Sequence, residues 1–183
     1  MWDCGNRRWA YEVDNQGNPL TNSCGSKIPK RPSGDVIVFA NQADRYHKVL
    51  PEPLRDSTIA VTVDSSDTVV IAVSNGKPAA STRLSVKELK AYCGSNPQPK
   101  CRVIDPEANG PLSDAVLESD IYHAEMQIYA ESTGSTGLPL DSKMKRIGIS
   151  RSKGLCSDCK DYFADLKDSN IEIGVFDGNN DLP

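Results

Sequence analysis

The sequence is short of histidine, of long apolar runs and of positive charge. Only two histidines, His47 and His123, occur in 183 residues, so any imidazole chemistry rests on one of them. The longest apolar runs, such as Val69-Val70-Ile71-Ala72-Val73, fall far short of the roughly 20 residues that span a bilayer. The opening Met1-Trp2-Asp3-Cys4-Gly5-Asn6-Arg7-Arg8 is polar and lacks the apolar centre of a signal peptide. A chain outside the membrane and without a secretory leader is therefore expected, with secretion by another route or excision from a larger chain left open. Net charge is −4 and the pI about 5.2, which argues against binding nucleic acid through bulk charge alone. No internal repeat or low-complexity tract is visible.

With 38% hydrophobic and 25% charged residues, the chain can bury a core. Pro51 and Pro53 suggest a soft boundary near residue 52, separating an N-terminal extension of unassigned role (1–52) from a main domain (53–183). In the extension, Asp35-Val36-Ile37-Val38-Phe39-Ala40 reads as a strand. Thr58–Val63 and Thr68–Val73 are β-rich runs around the turn residues Asp64-Ser65-Ser66-Asp67, and predict an antiparallel hairpin. Ser85 and Glu88 form a capping-box pattern, with Leu84 and Leu89 at staple spacing, which predicts a short helix over 86–93 stopped by Gly94. A polar loop to about Pro111 follows. A second helix is expected over 121–131, with Asp120 as N-cap and an apolar circumference that calls for burial. A strand over 146–150, a helix over 156–166 and a strand over 171–176 complete a β-β-α-α-β-α-β order, an α/β layered domain.

The residues that carry chemistry are few. His47 sits in a polar stretch and reads as an ordinary residue. His123 opens His123-Ala124-Glu125, and 33 positions later the chain offers Cys156-Ser157-Asp158-Cys159. Two cysteines one turn apart at a helix start favour thiolate and share a face. With one imidazole they make a three-ligand site with an open fourth position, the arrangement of a catalytic zinc rather than a structural one. Glu125, beside the metal but not bound to it, is placed to move a proton between water and substrate. The cap at Asp120 would bring His123 and Glu125 into the first helical turn. Cys4, Cys24, Cys93 and Cys101 allow two disulfides or free thiols, between which the sequence does not choose; a second metal site is disfavoured because no pair has Cys-x-x-Cys spacing.

His-Ala-Glu on one helix and Cys-x-x-Cys on the next, with a strand between, resembles the zinc-dependent cytidine deaminase superfamily, whose signature is H-x-E…P-C-x-x-C. Leu155 stands where that signature has Pro. The likeness spans about Thr58 to Phe176 and is nearest to the nucleic-acid deaminases of bacterial polymorphic toxins. It implies a three-layer α/β sandwich, its mixed sheet opening with an antiparallel hairpin and carrying helices on both faces. By the same likeness His123, Cys156 and Cys159 bind Zn²⁺ and Glu125 is the proton shuttle. The fifth strand of many members would be missing or supplied by the N-terminal region.

Further residues take roles only by position in that pattern. Asn75 falls where such enzymes hold a substrate-contacting Asn, or is the turn residue of an Asn-Gly pair. Ser150 and Ser152 fall where the pocket floor is built, and Tyr122 either stacks on a base or packs in the core. Residues 101–140 carry a net charge of −6, whereas residues 141–160 carry +4. Lys143, Lys145, Arg146, Arg151 and Lys153 in the latter are either a solvated face or a phosphate-binding rim, with Arg151 and Lys153 leading into Cys156. The function expected is hydrolytic deamination of cytosine in nucleic acid, DNA before RNA. A free nucleoside or nucleotide is the alternative substrate, and a non-catalytic zinc module the alternative class. If the chain is a toxin, the likeness further implies a cognate immunity protein and delivery into the cytoplasm of a target cell.

Overall fold

A hairpin of β-branched residues is the seed of the architecture. In the computed structural model, which describes residues 2–3, 8–9, 34–75, 78–133, 142–150 and 171–176, strand β3 (Thr58–Val63) pairs antiparallel with β4 (Val69–Ser74) as the sequence predicts. Two further strands, β6 (Arg146–Ser150) and β7 (Glu172–Phe176), run parallel to each other, and β6 lies antiparallel to β3. On the other side β4 takes a three-residue edge strand, β5 (Cys101–Val103), in parallel. Among the described residues the order is β5-β4-β3-β6-β7, a mixed five-stranded sheet. Near the N-terminus β1 (Trp2–Asp3) pairs antiparallel with β2 (Arg8–Trp9).

Both sheet faces are covered. Alternation sends Ile59, Val61, Ile71 and Val73 to one side, against Ala43 and Tyr46 of α1 (Gly34–Val49), Leu50 just after it, and Val86 and Leu89 of α2 (Ala79–Ser95). The other side buries Ala60, Val70, Ala72, Ile147, Ile149 and Ile173 against Ala124 and Ile128 of α4 (Ala124–Thr133). A single turn, α3 (Asp114–Leu117), precedes α4 and is capped by the Ser113 side chain. No described helix is long and apolar enough to cross a membrane.

Three helices differ from the sequence expectation. The strand expected over 35–40 is part of α1, because Val36, Ala40, Ala43, Tyr46 and Leu50 form a buried stripe at helical spacing while Val38 is exposed. The three-residue β-branched run Val36-Ile37-Val38 lost to a pattern visible only over sixteen residues. This helix lies N-terminal to the boundary expected near residue 52, yet it packs on β3, β6 and β7, so residues 34–49 belong to the same layered unit. Helix α2 begins after Pro78, several residues before the expected capping box. Ser85 is fully buried and donates to Asn75 Oδ1 at 2.9 Å instead of capping, and Leu84 is exposed rather than stapled. The helix expected from Ile121 is split into a 3₁₀ turn over Asp120–Tyr122 and α4, with His123 extended between them (φ −58°, ψ 148°). Ile121, expected in the core, is 64% exposed. The stretch read as a polar loop also holds β5 and is tied to α2 by a Cys93–Cys101 disulfide. The helix expected over 156–166, with Cys4 and Cys24, lies outside the described residues.

Glycine sets the distance between α1 and the sheet. A Cβ at Gly148 would stand 2.0 Å from the Ala40 backbone nitrogen and 2.1 Å from the Phe39 carbonyl carbon, and one at Gly174 2.2 Å from a Val36 methyl. Gly148→Ala is therefore expected to cost at least about 1–3 kcal/mol, because helix backbone must shift. Gly94→Ala, where nothing lies within 4 Å inside α2, is expected to gain roughly 0.5–1 kcal/mol. Urea unfolding of the two variants checks the contrast.

A charged clasp fastens α2 to the segment that delivers the 3₁₀ turn. Arg83 spans Glu107 at 3.0 Å and Asp114 at 2.9 Å, and Lys90 meets Asp105 at 2.6 Å. The Arg83 guanidinium holds the Glu107 carboxyl below its usual range, and Lys90 does the same for Asp105. Depressed folded-state values stabilise the fold above the ordinary carboxylate range near pH 4, and that contribution disappears as pH falls through the folded values. Acid unfolding of Arg83→Gln should accordingly show a shallower pH dependence below about pH 4 than the parent.

Candidate active site

Polar residues gather at the end of the sheet where β4, β6 and β7 finish. β3 starts there, with Ile59 opposite both Val73 and Ser150. Helix α4 begins at the same end, where Gln127 contacts the Val73 carbonyl, and descends until Glu131 meets Arg102. His123 and Glu125 thus sit over the carboxyl ends of strands, on the α4 face.

Glu125 lies in the first turn of α4, where the helix dipole favours a negative group. It is 2% exposed, and its Oε2 has no hydrogen-bond partner among the described residues. A buried carboxyl oxygen left unmatched costs on the order of 1–3 kcal/mol, a state that Glu172 Oε2 of β7 shares. His123 is half-buried, and its Nε2 lies 3.1 Å from Asp120 Oδ1. A carboxylate only accepts, so this contact places a ring proton on Nε2. The residue expected as the helix N-cap is instead the orienting partner of the imidazole, a pairing typical of metal-bound histidines.

Of the three donors expected for zinc, the structure describes one, His123, whose imidazole nitrogen is of a kind that zinc accepts. An oriented imidazole and an unmatched buried carboxyl stand two residues apart, and β6 ends at Ser150 on this same edge, from which the chain runs on toward Cys156 and Cys159. Those two cysteines lie outside the described residues, as do Arg151, Ser152 and Lys153. Among the described residues no group of three or more His, Cys, Asp and Glu side chains gathers around one point.

The remaining expected residues are placed differently. Ser150 is buried on the opposite sheet face, its Oγ 3.2 Å from His47 Nδ1 in α1. His47, read as an ordinary residue, also bonds the Arg55 carbonyl through Nε2. Asn75 likewise serves the α2 face. Its Nδ2 donates to the Leu54 carbonyl (3.3 Å), its Oδ1 accepts from Ser85, and its backbone N–H donates to Thr82 Oγ1 (3.0 Å). Tyr122 is half-buried directly before His123.

The basic stretch is not one rim. Lys143 pairs with Asp67 at 2.8 Å and Arg146 with Asp35 at 2.7 Å. Both stand at the start of β6, roughly 13 Å of strand from Ser150. Lys143, Lys145 and Arg146 therefore lie at the far end of the sheet from His123. Sequence reasoning missed Asp120 as an orienting group, although its i, i+3 spacing to His123 is a visible signal. It also missed Gln127, whose side chain joins the Tyr122 carbonyl to the Val73 carbonyl of β4, a link with no sequence pattern.

Comparison with protein-family models, curated proteins and solved structures returned no match.

Because its buried oxygen has no partner, Glu125→Gln is expected to leave chelator-treated protein at least as stable as the parent, with a gain of up to about 1 kcal/mol. A loss of that size in urea unfolding would show instead that the fold depends on this carboxylate.

Proposed function

We propose that the protein is a zinc-dependent deaminase of the cytidine deaminase type, converting cytosine to uracil. One observation carries the reading: Glu125, two residues after an oriented imidazole, keeps a carboxyl oxygen buried and without a partner. The layered α/β fold, with helices on both faces of a mixed sheet that holds an antiparallel hairpin, supports it.

His123, with Cys156 and Cys159, would hold the metal, and Asp120 fixes the ring for that task. Zinc, when bound, supplies a Lewis acid that makes water acidic enough to attack at neutral pH. Glu125 takes the proton released as water adds to C4 of cytosine and returns it toward the departing ammonia. Burial beneath α4 keeps bulk water from competing for that proton.

For the substrate, cytosine within nucleic acid, DNA first, rests on Arg151 and Lys153, which precede the cysteines. A free nucleoside or nucleotide is favoured by a different observation: Lys143 and Arg146 are paired with the chain's own acids, away from His123. Glu125→Gln should retain one zinc per chain and lose at least about 10²-fold in turnover, since an amide cannot relay a proton. Cys156→Ser or Cys159→Ser should lower metal content and stability together. Uracil formation on DNA, RNA and cytidine, measured side by side with metal analysis, checks these outcomes and separates the substrates. Near-normal activity of metallated Glu125→Gln would remove the assignment.

A further inference from the structure

We infer that Gln127 is a positioning residue for His123, clamping the backbone that carries the imidazole; the inference rests on the metal-site reading above. Gln127 is buried in α4, 5% exposed. Its Nε2 donates to the Tyr122 carbonyl at 2.7 Å and to the Val73 carbonyl at 3.0 Å. Its backbone N–H donates to the His123 carbonyl at 3.0 Å. The Tyr122 carbonyl belongs to the peptide before the His123 Cα and the His123 carbonyl to the peptide after it. One residue therefore holds both peptide planes that meet at His123, and with them the direction of its Cα–Cβ bond. Through Val73 the same side chain fastens that junction to β4.

Two features separate this from packing. Both partners of the amide are carbonyls, which only accept, so the nitrogen must face them and the oxygen must point elsewhere. That oxygen, Oε1, is buried with no partner. An apolar side chain of equal length would fill the space without stranding a polar atom, so the amide's gain lies in what its nitrogen holds. The need is local. His123 is extended between a 3₁₀ turn and α4, and although its own carbonyl takes the first bond of the α4 ladder, the carbonyl of the peptide before it is held by the Gln127 side chain. Metal ligands must stand within about 0.2 Å of their bonding distance, a tolerance that a loose junction does not meet. Loss of such outer partners typically costs 10–100-fold in metal affinity.

The test uses the full chain with Gln127→Met, a good helix former of similar length without donors, and Gln127→Glu, which keeps the shape but replaces the donor nitrogen with oxygen. Zinc affinity is measured by chelator competition, the visible absorption of the Co²⁺-loaded protein reports ligand geometry, and circular dichroism reports folding. Both variants are expected to bind zinc about 10- to 100-fold more weakly, with altered cobalt bands and unchanged secondary structure. Should Gln127→Glu fail to fold, the Met variant carries the test. Parental zinc affinity and cobalt spectrum in folded Gln127→Met would overturn the clamp while leaving the metal site standing. Lower stability with unchanged affinity would overturn it equally, marking a packing role. A parent chain that binds neither zinc nor cobalt would overturn the metal-site reading, and the clamp with it.

Discussion

The approach of α1 to the parallel pair β6 and β7 is the constraint on which the other layers depend. Gly148 and Gly174 present bare backbone to Ala40, Phe39 and Val36, so the helix seats without intervening side chains. That seating brings His47 to Ser150 across the α1 face. Asn75, Thr82 and Ser85 spend their polar groups on the same face. The unmatched oxygens of Glu125 and Gln127 belong to the other layer, on α4. Gln42 of α1 also keeps a buried oxygen without a partner among the described residues, so the two faces differ in the chemistry they gather rather than in how completely they are hydrogen-bonded.

How much of this was legible in the sequence depended on the range of each signal. The hairpin was plain because alternation and turn chemistry are short-range: Asp64 accepts the backbone N–H groups of Ser66 and Thr68 within its own turn. Strands β6 and β7 were equally plain as compact β-rich runs. Helix α1 was misread because Val36-Ile37-Val38 is locally strand-like, and only burial out to Leu50 reveals the helical stripe. Ser85 looked like a cap because its use, a bond to Asn75 ten residues back, crosses from helix to strand end. Edge strand β5 has three residues and a disulfide, and neither leaves a periodicity.

The candidate site followed the same rule. His123 and Glu125 were legible from spacing, and the structure adds what spacing does not hold, the burial and isolation of a carboxyl oxygen. The expected cap at Asp120 turned toward the His123 ring because Asp120 opens a 3₁₀ turn of which His123 is the C-cap, and residues three apart eclipse in such a turn. The basic run from Lys143 to Arg146 read as continuous with Arg151, but a strand separates its ends, and Asp67 and Asp35 claim two of its charges.

The disulfide at the edge of the sheet has a consequence for solubility. Strand β4 carries Val69-Val70-Ile71-Ala72-Val73, a run of the kind that stacks into cross-β fibrils when its edge is bare. Three residues of β5 cover that edge, and the Cys93–Cys101 bond moors them to α2. A thiol reductant releases the mooring and leaves a weakly held strand guarding a strongly self-adhesive one. The bond therefore acts as a guard against edge-to-edge association between molecules, a service to the protein in a crowd rather than to the single chain.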